Sequence, residues 1–430
     1  MEYHGWPSDY GNPDWFVHDR FGLFIHWGLY SVAGRHEWVM NRERLNSADY
    51  ARYFDHFRPD RFDPGKWADI ASAAGMKYVV ITTKHHEGFA LWDSKLTDFK
   101  VTNTPAGQDL LRQAVDAFRA RGLKIGFYHS LIDWHHGEFP IDGLHPLRDD
   151  EEFREKEKGR DIAKYAEFLR GQVRELLTQY GKIDYLWFDF SYASQDWGWA
   201  QGKGAADWQS ETLERMILEL QPEIILNDRL DLRRGVVTPE QYQPSAPVMR
   251  DGFPVIWEAC QTLNGSWGYD RDNTGFKSAD VLVRLLIDTV SKGGNLLLNV
   301  GPTGRGEFDG RSIEILEEIA GWMEHHSRAI YGATNSQWAP PVDCRYTQNG
   351  DRLYLHIFAW PYRHIHVHGL SGKIAFAQFV HDSSEVAFVE HSGRDALSSI
   401  DQVEAEGVVT LELPVQRPSV AVPVVELFLK

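Results

Sequence analysis

Histidines, carboxylates, a tyrosine and an arginine recur where a parallel α/β sheet would hand them to a substrate. His26 closes one apolar run, His85 and His86 follow a second, and Tyr128 and His129 end a third. Asp189 stands next to last in the run IDYLWFDF, and Arg229 lies just past EIILN. In a parallel α/β barrel, chemistry sits at the C-terminal ends of the strands. Polar residues repeated there on successive strands converge on one mouth when the sheet closes. The carboxylates assigned to that side are Glu37, Glu87, Asp189, Glu240 and Glu258.

Cleaving a glycosidic bond takes two carboxyl groups, one to attack or activate water and one to protonate the leaving oxygen. Asp189, preceded by the apolar Trp187 and Phe188, suits the attacking role. Glu240 lies in a Thr-Pro-Glu-Gln loop with the freedom a proton donor needs, and Glu258, next to Trp257, competes for that role. Glu87 has a plainer reading as a partner for His85 or His86. A metal-dependent hydrolase is the other reading of a histidine-rich mouth. Against it, His85 and His86 point to opposite sides of an extended chain, and no HExxH occurs. The H-x-H-x-H of His364, His366 and His368 falls in the C-terminal part, on one face of a strand read as solvated. The glycines of 301–306 lack both the Walker Lys-Ser/Thr and the GxGxxG order, so they read as a tight loop.

The elements that must position these groups alternate. Strands are expected at 21–28, 77–83, 123–130, 183–190, 223–227, 255–259 and 295–300. Helices are expected at 63–75, 109–121, 161–180, 208–220, 279–291 and 312–328. This alternation is the mark of βαβ units and a parallel sheet. Seven strands rather than eight predict an irregular (β/α)8 TIM-like barrel, with a doubly wound open sheet as the alternative. After Pro340-Pro341 six alternating strands, from RLYLHIFAW to VVELFLK, predict an antiparallel β-sandwich. The expected domains are a barrel over 1–334 and a sandwich over 335–430.

The bulk properties narrow the partners. A chain of 430 residues suits one large and one smaller domain. A formal charge of −17 argues against nucleic acid and anionic membrane surfaces. Two cysteines, Cys260 and Cys344, make no disulfide framework and no C-x-x-C. Sixteen tryptophans offer flat faces that stack on sugars as readily as they fill cores. The start MEYHGWPSDYGNPDWF has no basic and apolar leader pattern, and no apolar run reaches a membrane span. The expected location is cytoplasmic.

Several blocks are specific beyond these patterns. FGLFIHWGLYSV with the downstream HEW, KYVVITTKHHEGFALWDS, LKIGFYHS, LWFDF, LNDR, SWGYDRD and KGGNLLLNVGPTGRGEFD together resemble the α-L-fucosidases of glycoside hydrolase family 29. The resemblance covers residues 21–331. It implies a retaining exo-glycosidase that needs no metal or other cofactor and removes terminal α-L-fucose from glycans or glycosides. By motif position Asp189 is then the nucleophile. His26, Glu37, Trp38, His85, His86, Tyr128, Trp187 and Arg229 line the fucose subsite, with the neutral histidines and the arginine expected to donate hydrogen bonds to sugar hydroxyls. Glu240 matches the Thr-x-Glu position of some members and ranks above Glu258 as acid/base. Glu258 stays as the alternative and as a substrate-contacting residue. Two features depart from the pattern or add to it. Phe190-Ser191 stands where many members have Gly, and the loop over 133–150 is expected to shape the leaving-group side or simply to pack. A fucose-binding barrel without turnover is the non-enzymatic alternative.

Overall fold

A computed structural model describes residues 3–391 and 407–430. Seven parallel strands form its central sheet: Phe21–Ile25, Tyr78–Lys84, Lys124–Ser130, Tyr185–Asp189, Ile225–Leu226, Glu258–Thr262 and Asn295–Val300. Their order across the sheet is fifth, fourth, third, second, first, seventh, sixth. The last strand returns to pair with the first, Phe21 opposite Leu296 and Ile25 opposite Val300, so the sheet curls. Every strand residue except the first of the third strand, Lys124, is buried. That accounts for the near-continuous apolar runs, since both faces are covered.

The helices that cover it start where short polar side chains can take a free backbone N–H. Asp63, Asp109, Asp161, Ser278 and Asp309 each accept from an amide in the first turn of the helix they open. Such caps are worth about 1 kcal/mol each. In Leu110–Ala120 the buried residues Leu110, Leu111, Ala114, Val115 and Phe118 form the one stripe a 3.6-residue period lays against a sheet. The sequence pattern missed the short helices Asp14–Asp19, Tyr30–Ala33, Val39–Arg42 and Ser47–Asp55.

Two strands differ from expectation. The fifth keeps only Ile225–Leu226 and runs into a 3-10 turn, Asp228–Leu230. The sixth runs Glu258–Thr262, three residues later than expected, which moves Glu258 from its C-terminal to its N-terminal end. Between these two sheet edges lies an irregular extended segment. On one side Val236 donates to the Leu226 carbonyl, while Asp228 donates to Val236. On the other, Glu258 donates to Val237, Cys260 to Pro239 and Gln241 to Cys260. Pro239 has no N–H to give, so the ladder is broken there.

The C-terminal part is two antiparallel sheets. One orders Cys344–Asn349, Arg352–Ile357, Val424–Leu429 and Ile374–Phe379, and the other His364–His368, Val408–Glu412 and Phe388–Glu390. Leu353, Leu355, Val425 and Leu427 of the first share a core with Ile365, Val367, Val409 and Leu411 of the second. The strand Cys344–Asn349 is an addition to the six expected, its polar sequence hiding it. His364, His366 and His368 alternate with the buried Ile365 and Val367, and the first and last of them are exposed. Arg345 reaches Asp288 of the barrel helix Ala279–Val290 at 2.7 Å, and Trp322 Nε1 donates to the Val422 carbonyl at 2.9 Å.

Candidate active site

At the C-terminal ends of the strands lies a small cavity. Phe24, His26, Trp38, His85, His86, Tyr128, Trp187, Asp189, Phe190, Glu240 and Trp267 line it. The side chains get there by strand alternation. Tyr128 and Ser130 share the inward face of the third strand, and Trp187 and Asp189 that of the fourth. His129 therefore faces the helix layer instead, its Nδ1 bonded to Thr83 at 2.8 Å, and it is not part of the cavity.

Asp189 is the most constrained group. Its Oδ2 accepts from Tyr128 Oη at 2.7 Å and its Oδ1 from Arg229 Nη1 at 2.7 Å. The same Arg229 nitrogen is 2.8 Å from Glu240 Oε2. The two carboxylates are therefore no farther apart than these two contacts laid end to end. Burial lifts Asp189 above the ordinary carboxylate range, while the Arg229 charge and the Tyr128 hydrogen bond pull it back. Burial disfavours the Arg229 charge too, but Asp189 and Glu240 outweigh it and hold the guanidinium firmly protonated. Arg229 also lies over the Trp187 ring at 4.5 Å, and Trp187 stacks on Tyr128 with centroids 5.6 Å apart.

The remaining polar wall is neutral. Burial pushes His85 down to about 3 and His26 and His86 well below the usual imidazole value. It lifts both Glu37 and Glu87 to about 8. Glu37 sits buried beside the cavity, where Oε2 accepts from the Gly268 amide at 2.8 Å and so steadies the Trp267 segment. Gly301 helps in the same way: a Cβ there would lie 2.6 Å from the Tyr269 amide nitrogen, so only glycine lets that segment lie over the mouth. Glu87 Oε2 lies 3.6 Å from His85 Nδ1, close but beyond hydrogen-bond reach.

Hydrogen bonds fix which way two histidines face. Asn299 donates from Nδ2 to the Trp267 carbonyl, so the oxygen 2.7 Å from His26 Nδ1 is an acceptor and that nitrogen carries the proton. His26 then offers Nε2 as an acceptor. His86 is arranged alike by Ser130. His26 and His86 thus each present an Nε2 lone pair, where donors to sugar hydroxyls are the expectation from the sequence.

Glu258 is not brought to the cavity. It is fully buried at the start of its strand, where its carboxyl accepts from Tyr78 Oη and, at 3.2 Å, from Tyr185 Oη. Both tyrosines begin their own strands, so the three meet at the floor of the sheet. Burial first, against these hydrogen bonds, raises Glu258 to about 7.

The sequence model described as Alpha-L-fucosidase matches residues 6–328. The chain belongs to the α-L-fucosidase family, glycoside hydrolase family 29. It is thus a glycoside hydrolase. α-L-Fucosidase isoenzyme 1 from Paenibacillus thiaminolyticus is 43% identical, with a TM-score of 0.90 over 97% of this chain and 98% of that one. The family 29 α-L-fucosidase of Bacteroides thetaiotaomicron, seen as a covalent intermediate trapped with 2-fluoro-fucosyl fluoride, is 25% identical with a TM-score of 0.83, covering 100% of both chains. The tissue α-L-fucosidase of Bos taurus is 29% identical over 395 residues, 83% of this chain and 77% of that one.

Within this fucosidase, three wall residues escaped sequence reasoning. Trp267 stands in the quoted SWGYDRD block without a role assigned, and Phe24 reads as strand core. Phe190, which the resemblance marks as a departure, is the third. Its φ of 73° lies in the left-handed region, a conformation that costs a bulky residue about 1–3 kcal/mol. What holds it there is its ring, 4.7 Å from His86 and 5.4 Å from Trp38. The 133–150 loop packs closely behind this wall. Trp134 contacts Trp38 and His86, and Asp133 pairs with the buried Lys84 at 3.2 Å.

Proposed function

We propose that this cavity hydrolyses a terminal α-L-fucoside by double displacement, with Asp189 as nucleophile and Glu240 as general acid and then base. One observation carries the assignment: a single Arg229 nitrogen touches both carboxylates. Its two contacts keep their nearest oxygens no farther apart than the roughly 5–5.5 Å carboxyl separation of retaining enzymes, short of the ~6.5–9.5 Å of inverting ones. Asp189 is buried and held from both oxygens, as an attacking group must be. Glu240 stands at the open side with its side chain 42% exposed, where a leaving group departs and water arrives. The neutral His26 and His86 accept from the sugar's hydroxyls, and Phe24, Trp187 and Trp267 give its methyl group an apolar wall.

Asp189 acts only when ionised, so the rate falls as pH drops through its pKa. Arg229 lowers that pKa; removing the guanidinium must raise it. In Arg229→Met the acid limb of kcat/KM moves to higher pH by about one unit or more, with a loss of roughly 10²-fold at the optimum. An unmoved acid limb would mean that Arg229 does not govern the nucleophile.

Glu258 serves as the counter-test for the acid/base. Glu258→Ala leaves two buried tyrosine hydroxyls without an acceptor, at about 1–3 kcal/mol each. The expected outcome is a lower melting temperature, with rate effects equal for good and poor leaving groups. A selective loss on poor leaving groups would transfer the acid/base role to Glu258.

On the same reading, 236–241 is the eighth strand of an irregular (β/α)8 barrel, supported by its hydrogen bonds to both sheet edges. The barrel domain would then span 1–334 and the sandwich 335–430.

A further inference from the structure

Ser130 lies opposite Asp189 on the neighbouring strand and is wholly buried. Its Oγ is 2.8 Å from the Ile132 carbonyl and 2.7 Å from His86 Nδ1. A hydroxyl has one proton, and a carbonyl can only accept. The proton therefore goes to Ile132, and toward His86 the Ser130 oxygen is an acceptor. His86 must carry its own proton on Nδ1, which leaves a lone pair on Nε2. That lone pair sits 3.9 Å from Asp189 Oδ2. Two acceptors facing each other across this gap need a donor between them.

We propose that Ser130 is a positioning residue that locks His86 in the Nδ1-protonated tautomer, so that Nε2 takes the proton of the sugar hydroxyl beside the carbon under attack. The geometry selects that hydroxyl. A group that touches both Asp189 and His86 is attached next to the anomeric carbon, where only the ring oxygen and the 2-hydroxyl lie, and the ring oxygen has no proton. The opposite tautomer would aim Nε2–H at Asp189, drawing electron density from the attacking oxygen. With the observed one, the 2-hydroxyl donates to His86 and its own oxygen becomes more electron-rich beside the developing oxocarbenium centre. Hydrogen bonds to this hydroxyl strengthen in the transition state of glycoside hydrolysis. The inference rests on Asp189 as nucleophile, but the tautomer does not.

The test pairs a variant with a substrate deletion. Wild type and Ser130→Ala are assayed on an aryl α-L-fucoside and on its 2-deoxy counterpart. The expected result is a loss of about tenfold in kcat/KM on the fucoside, the rate equivalent of one neutral hydrogen bond, and almost none on the 2-deoxy substrate. Ser130→Thr, which keeps the hydroxyl, restores the coupling. Equal losses on both substrates, or no loss on either, would overturn the proposal. Histidine-labelled ¹⁵N spectra of the wild type, read for His86, check the tautomer without any variant: a protonated Nε2 overturns it. If instead the Asp189 reading is wrong, small anions fail to rescue its variants while the His86 tautomer stays as described.

Discussion

Asp189→Gly loses turnover of an aryl α-L-fucoside by roughly 10⁴-fold or more, because nothing else in the cavity replaces a covalent nucleophile. The fold survives. Asp189 makes its hydrogen bonds at the rim of the sheet, and glycine removes the charge that burial disfavours. The space left between Tyr128 Oη and Arg229 Nη1 keeps its donors and its positive charge, so a small anion has a place to bind. Azide is then expected to restore part of the rate and to yield a fucosyl azide of inverted configuration. Circular dichroism and melting curves like those of the wild type, together with this rescue, separate lost chemistry from lost structure. Activity within tenfold of wild type would remove Asp189 from the mechanism.

Glu240→Ala has a different signature. General acid catalysis contributes about 10²–10⁴-fold where the leaving group needs its proton. The variant therefore loses about that much on fucosylated oligosaccharides, whose leaving alcohols are poor. On activated aryl fucosides the first step needs little protonation, so breakdown of the fucosyl-enzyme becomes limiting. An initial burst of phenol and a lowered KM follow, and azide again speeds turnover. The contact with Arg229 adds a second consequence. Without Glu240 the guanidinium turns wholly to Asp189, and the charge that raises Asp189 from that side is gone. The acid limb then moves to lower pH, opposite to the shift in Arg229→Met. Uniform losses across leaving groups would reject the role.

Much of this site was legible because a parallel barrel turns sequence position into place. His26, His85, His86, Tyr128 and Asp189 end or follow apolar runs, and those runs are the strands. Their side chains meet because alternation and the curl of the sheet leave them one direction to point. Glu258 shows where this reasoning stops. VIWEACQTL carries no turn signal within it, so nothing local says whether the strand opens or closes at Glu258. Pairing with Asn295–Val300 decides that it opens there. The segment 236–241, which bonds to both sheet edges, was hidden by Thr-Pro-Glu, which no strand pattern accommodates, and its bonds come from neighbours remote in sequence. Trp267, Asn299 and Ser130 were invisible as site residues for a related reason. Each acts by where it lies against another strand, and in Ser130 and Asn299 only the hydrogen-bond partners reveal the role. Phe190 was noticed as a departure, but its left-handed backbone and its contacts with His86 and Trp38 belong to tertiary structure.

Double displacement requires a covalent bond between Asp189 and the sugar. Incubating the protein with 2-fluoro-fucosyl fluoride, digesting it and mapping the modified peptide by mass spectrometry tests this directly. The prediction is a single fluorofucosyl adduct on the peptide that contains IDYLWFDF, located on Asp189. An adduct on another carboxylate, or full inactivation without any adduct, would contradict it.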